Sequence, residues 1–188
     1  MKKDLGAVPG IFPMPVLMLA SYDETGKVDV MNAAWGTACG MDKIALCISE
    51  GHKSTANIRK SGAFTVALAD APHVREADFF GIASGNKMDD KFERTGMTAV
   101  RSSRVHAPII EEFPLTMECE VCEIVETEHF HAVIGRIVNV VADETVLDEN
   151  GKVDAAKLGV IAFDPFRSGY YAVGEKVGDA WKTGKDLM

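Results

Sequence analysis

The chain has 188 residues, long enough for one sizeable core. Its 47% apolar and 26% charged content excludes a disordered chain, and 28 Asp plus Glu against 20 Lys plus Arg disfavours a nucleic-acid partner. The longest early apolar stretch, residues 11–20, is cut by Pro13 and Pro15, is too short to span a bilayer and lacks a signal-cleavage pattern, so no membrane partner and a cytoplasmic location are expected.

From Pro15 the chain reads as short strands and turns. Residues 16–20 are apolar, 23–26 are turn-like, and residues 27–31 resume with Val28 and Val30 in alternation, which predicts a hairpin. Asn32, Ala33, Ala34, Trp35 and Gly36 continue as an extended segment whose small side chains let a flat ligand or a second backbone approach. Strands are expected at 44–49 and 64–69. Between them Ser54 or Thr55 can cap a short helix over 56–60 that Gly62 ends. Further helical stretches are expected at 74–82, broken by Ser84-Gly85-Asn86, and at 89–94, ended by Gly96.

In residues 115–121, Leu115, Met117, Cys119 and Val121 alternate with Thr116, Glu118 and Glu120, which predicts one buried and one wet face. After Val121 the apolar parity passes to Cys122 and Ile124, so a bulge is expected there. Residues 129–141 form a long strand candidate broken by Gly135. A turn at 148–151, a brief helix at 154–158, and strands at 160–163 and 169–173 follow, ahead of a loose tail. Many short strands with few helices favour a closed antiparallel barrel over a parallel sheet, and no strand leads into Gly-x-Gly-x-x-Gly. Cys39, Cys47, Cys119 and Cys122 lack the two close pairs of a four-thiolate site and read as small buried hydrophobes in a reducing compartment.

Two segments carry chemistry. Ser49 to Ile58 runs from a strand end into a helix start, where orphan amides, the helix dipole, Lys53, Ser54 and Thr55 suit a phosphate, although an ordinary capped helix would read the same. Ser84 to Phe92 offers Lys87 and Lys91 to an anion and Ser84-Gly85 amides to a ring edge, or else is a solvated loop.

The order of these segments, with Pro13-x-Pro15-Val16, Asn32-Ala33-Ala34-Trp35, Ser54-x-x-Asn57-Ile58, Asp89-Asp90-Lys91-Phe92, Ala107-Pro108, Glu118-Cys119, Ile134-Gly135 and Tyr170-Tyr171-Ala172, resembles the flavoredoxin and flavin reductase-like proteins. The resemblance covers roughly residues 10–178, leaving a tail at 179–188, and implies one mainly β domain: an FMN-binding split barrel of Greek-key antiparallel type with a few short helices. It also implies a homodimer holding FMN non-covalently, with the ring along Asn32 to Trp35 and the phosphate by Ser49 to Asn57. By resemblance the FMN contacts are Asn32, Ala33, Ala34, Trp35, Ser49, Lys53, Ser54, Asn57, Ser84, Gly85 and Lys91, with Thr55, Lys87 and Tyr171 added.

In NADH-dependent relatives a histidine shortly before the strand glycine places the nicotinamide. Here that position falls on Phe130, between His129 and His131; either His131 takes the role through a bulge or the contact is absent. His73 and His106 read as surface residues. The implied function is an FMN-containing oxidoreductase that takes electrons from NADH, NADPH or another donor and passes them to free flavin or a redox protein. The rival is a non-enzymatic FMN shuttle without a nicotinamide site. A pyridoxamine-phosphate-oxidase-like enzyme is a weaker third reading, since the basic motifs of that branch are missing.

Overall fold

The first hairpin is closed by its own turn chemistry. The Asp23 carboxylate accepts from the backbone amides of Thr25 and Lys27, holding the reversal between two apolar runs. The computed structural model describes residues 1–188. In chain order its strands are β1 (Met14–Pro15), β2 (Leu17–Tyr22), β3 (Val28–Ala33), β4 (Gly36–Ala38), β5 (Lys43–Leu46), β6 (Ala63–Leu68), β7 (Ala99–Arg101), β8 (Pro108–Ile110), β9 (Leu115–Glu126), β10 (His131–Ala142), β11 (Ile161–Asp164) and β12 (Gly169–Ala172). Two helices interrupt them, α1 (Lys53–Ser61) and α2 (Val74–Ile82).

Seven strands form one sheet in the order β3-β2-β6-β9-β10-β5-β4, with every pairing antiparallel. Its outer strands, β3 and β4, are consecutive in the chain, separated only by Ala34 and Trp35. Laid flat at a strand spacing of about 4.8 Å, seven strands would hold their edges about 29 Å apart. Three residue steps reach at most about 11 Å. The sheet therefore curls until its edges meet at residues 34–35, and the chain itself crosses the seam. A side sheet, β1-β11-β12, and the β7-β8 ribbon cover the outside.

Both faces of β2 are buried, which explains its unbroken apolar run. Leu17 and Leu19 join Leu46, Ile58, Phe64, Val66, Cys119 and Val133 inside the curl. Met18 and Ala20 face outward into a second core with Val30, Phe80, Phe92, Ile110 and Ile161, under α2. Gly135 lets the barrel close tightly. A Cβ there would lie 2.4 Å from Cζ of the fully buried Phe64, so this glycine is a packing requirement inside continuous β10 and does not break the strand.

Several expectations hold. Helix α2 spans 74–82 as read from the sequence, Gly62 ends α1 at φ 70°, and Cys122 is the extra residue of a bulge, Val121 pairing with Gly135 while Glu123 pairs with Ile134. Others need correction. Helix α1 begins at Lys53, so Ser54 and Thr55 lie inside its first turn rather than capping it. Residues 89–94 supply only a 3-10 turn at Glu93–Thr95, and residues 154–158 form turns without a helix. Thr116 and Glu118 are buried, not wet. The β7-β8 ribbon packs with β8 against β2 and β6, and its turn brings Ser102 to β9, where the Glu118 carboxylate accepts from Ser102 and Asn139. Of the four free thiols only Cys119 is buried, its pKa pushed up to about 12 by burial first and by Glu118 second; the other three are exposed.

Candidate functional site

A cavity of about 250 Å³ lies where β3, the start of α1 and the end of α2 converge. The loop before α1 is held by its own polar groups. Thr55 Oγ1 donates to the Ser49 carbonyl at 2.7 Å, and the His52 amide also bonds that carbonyl. His52 takes the cap position with no side-chain capping bond, so the first-turn amides keep their orphan hydrogens and the positive end of the helix faces the cavity. Opposite, the chain leaving α2 brings in Ala83, Ser84 and Gly85, and Asn86 Nδ2 ties this loop to the Gly51 carbonyl at 2.8 Å.

Two ammonium groups belong to this place. Lys91 is buried, donates to the Phe80 carbonyl at 3.1 Å and lies 5.7 Å from the Phe80 ring centroid. Burial lowers its pKa, while the Asp29 carboxylate acts in the opposite sense. Lys53 reaches across to Asp23 at 3.2 Å. Burial works against the Asp23 carboxylate, but hydrogen bonds from Thr25, Lys27 and Lys53 outweigh it and hold its pKa far below the usual range. Asp29 is buried in the cavity wall and accepts the Ser54 hydroxyl hydrogen. A Cβ on Gly85 would fall 2.4 Å from Asp29 Oδ1 and 3.1 Å from Lys53 Cδ, so only glycine fits between them.

Of the residues singled out in the sequence, Asn32, Lys53, Ser54, Ser84, Gly85 and Lys91 line this cavity together. Ser54 does so with its hydroxyl hydrogen already given to Asp29, and Thr55 spends its own on Ser49. Asn57 turns to the other side of α1, donating to Ser21 at 3.3 Å beside a separate concavity. Ser49 and Lys87 are exposed outside the cavity. Ala33 is buried, Ala34 half-buried, and Trp35 is 57% exposed on the seam. Tyr171 packs edge-on against Phe12, ring centroids 5.8 Å apart, away from the cavity. Tyr170 instead donates to Asp78 at 3.0 Å, its pKa raised to about 12 by burial and that carboxylate.

His131 sits elsewhere, with Nδ1 2.6 Å from the Ile48 carbonyl and Nε2 3.1 Å from Glu126. Both neighbours are acceptors, and a neutral imidazole can donate to only one of them. His129 is exposed in the β9-β10 turn rather than on a strand face. The residues that sequence reasoning missed are Asp29, Met31, Phe80, Gly81, Ile82 and Ala83. Asp29 had one legible signal: it stands between Val28 and Val30, on the opposite face of β3 from these core residues.

The flavin reductase like domain matches residues 10–157. Among solved structures, the flavoredoxin of Desulfovibrio vulgaris (Miyazaki F) superposes with a TM-score of 0.93 at 35% identity, covering 98% of this chain and 100% of that one. The flavoredoxin of Methanosarcina acetivorans gives 0.88 at 27% identity, covering 100% and 98%. A split-barrel-domain protein of Shewanella frigidimarina shares the fold at 21% identity and a TM-score of 0.78, covering 88% and 84%. The curled seven-stranded sheet is thus a split barrel, and the chain belongs to the flavoredoxin and flavin reductase-like family.

Proposed function

We propose that this protein is an FMN-binding oxidoreductase of electron transfer, with the cavity at the start of α1 taking the phosphate tail of the cofactor. The observation that carries the reading is the convergence of Lys53, the buried Lys91, the orphan amides of α1 and the Ser84-Gly85 backbone on one small space. The donor set fits a dianion. Charge-assisted donors and a helix N-terminus are the groups that hold phosphate best, and Gly85 leaves the backbone bare where a side chain would close the cradle.

At about 250 Å³ the cavity is smaller than a pocket that buries a whole drug-sized ligand. It suits the phosphate and sugar-alcohol chain, and the seam residues Ala34 and Trp35 then offer small backbone and an aromatic face to the ring. When bound, the flavin supplies the redox chemistry. Asn32, Ser84 and Gly85 hold and orient it, and the lysines neutralise the tail. Trp35 and Phe130 stand 57% and 49% exposed, and a second copy of the chain covering them completes the ring side as a homodimer. Three exposed thiols suit a reducing, cytoplasmic setting.

His131 lies on the Ile48 carbonyl and Glu126, away from the lining of the cavity at the start of α1, which favours an electron shuttle over a reductase in which that histidine seats NADH or NADPH. Titrating the purified protein with FMN should give a saturable complex, and Lys53→Ala should weaken it by about ten- to a hundredfold, the loss of one charged hydrogen bond. A wild-type protein that refuses FMN sinks the reading. Anaerobic addition of NADH or NADPH to the loaded protein then separates the two roles: persistent yellow colour means a shuttle, and prompt bleaching means a reductase.

A further inference from the structure

The ribbon β7-β8 ends in a loop that the flavin reading does not use. Residues 101–106 line a concavity of about 540 Å³ containing Arg101, Ser102, Ser103 and Arg104. Neither arginine has a carboxylate within ion-pair distance, although the chain carries a net charge of −8 and most of its other arginines are paired. The loop is preorganised. Buried Ser102 donates to the buried Glu118 carboxylate and accepts the amides of Arg104 and Val105 at 3.0 and 2.9 Å, so the two exposed arginines project from a fixed turn.

His106 joins this concavity to a second one, also about 540 Å³, whose walls include Tyr22, Glu24, Thr25 and Asn57. The Tyr22 and His106 rings lie 5.4 Å apart at 41°, a tilted pair that a further ring could extend by stacking. Burial raises the Tyr22 pKa while the Arg101 charge lowers it. One half of the double concavity thus offers unpaired cations. The other offers an aromatic pair, the Asp23 carboxylate, the ion-paired Glu24 and Lys60, and hydroxyl and amide groups, a set that reads sugar hydroxyls and base edges.

We propose that this double concavity binds a nucleoside phosphate, with its phosphates on Arg101 and Arg104 and its nucleoside beside Tyr22 and His106. The site is distinct from the flavin cavity, from which it is separated by the Asp23–Lys53 ion pair.

The test is calorimetric titration of the protein saturated with FMN, using ADP, adenosine and pyrophosphate as probes. ADP should bind more tightly than either fragment. Arg101→Ala with Arg104→Ala should weaken ADP by about tenfold or more through the lost charged hydrogen bonds, with flavin content unchanged. Tyr22→Ala should weaken ADP while leaving pyrophosphate alone. The proposal is overturned if ADP shows no binding at millimolar concentration, if the double arginine variant binds it as well as the parent, or if pyrophosphate matches ADP. Repeating the ADP titration on flavin-free protein separates this outcome from the flavin reading, because neither arginine touches that cavity.

Discussion

The two ends of the proposed flavin site are built in different ways. At the phosphate end every wall comes from one chain and is locked from behind: Lys91 by the Phe80 carbonyl, Ser54 by Asp29, Asn32 by the Ala77 carbonyl at 3.0 Å, and the loops by Asn86 and Thr55. At the ring end the seam residues Ala34 and Trp35 cross from one sheet edge to the other with little behind or above them. The lesson is about which interactions tolerate an open surface. A charged tail needs fixed, desolvated donors, since these lose strength in water, whereas a flat ring needs area, which a second surface can supply later.

Substitutions can break either end separately. The largest effect is expected at Gly85, where valine would drive into Asp29 and Lys53. Gly85→Val should abolish FMN retention and cost about 1–3 kcal/mol of stability from overpacking, read by flavin content and thermal melting. If it keeps its flavin, the cavity is not the phosphate site. Next comes a control in the core inside the curl. Gly135→Ala pushes a methyl against the buried Phe64 ring and should lower stability by about 1–3 kcal/mol with FMN affinity unchanged. The smallest change is at the ring end: Trp35→Ala should leave the stability within about 0.5 kcal/mol. It should weaken FMN by about two- to tenfold, the worth of one stacking contact. A melting loss at Trp35 as large as that at Gly135 would show the seam to be core rather than open surface.

The sequence by itself determined the elements whose signals are local. Alternation around Val28 and Val30 with the Asp23 turn specified the hairpin, the apolar side of residues 74–82 specified α2, and the change of parity after Val121 specified the bulge at Cys122. Each depends on neighbours a few residues apart, and backbone periodicity carries that information. The same reach picked out Lys53 and Lys91 as anion-binding types and the Ser84-Gly85 amides as donors to a ring edge.

Only the tertiary structure decided what meets what. Asp29 and Ser54 lie 25 residues apart, and their bond takes the hydroxyl hydrogen that the sequence had offered to a phosphate. Glu118 is buried where the turn of a ribbon from elsewhere in the chain sets Ser102 on its carboxylate. Asn57 shares a helix with Lys53 yet faces another concavity, because β2 and not β3 packs beside it. Long-range strand order β3-β2-β6-β9-β10-β5-β4 sets all of these. A hydrogen bond or a burial depends on the partner that the fold brings up, and no window of a few residues contains that partner.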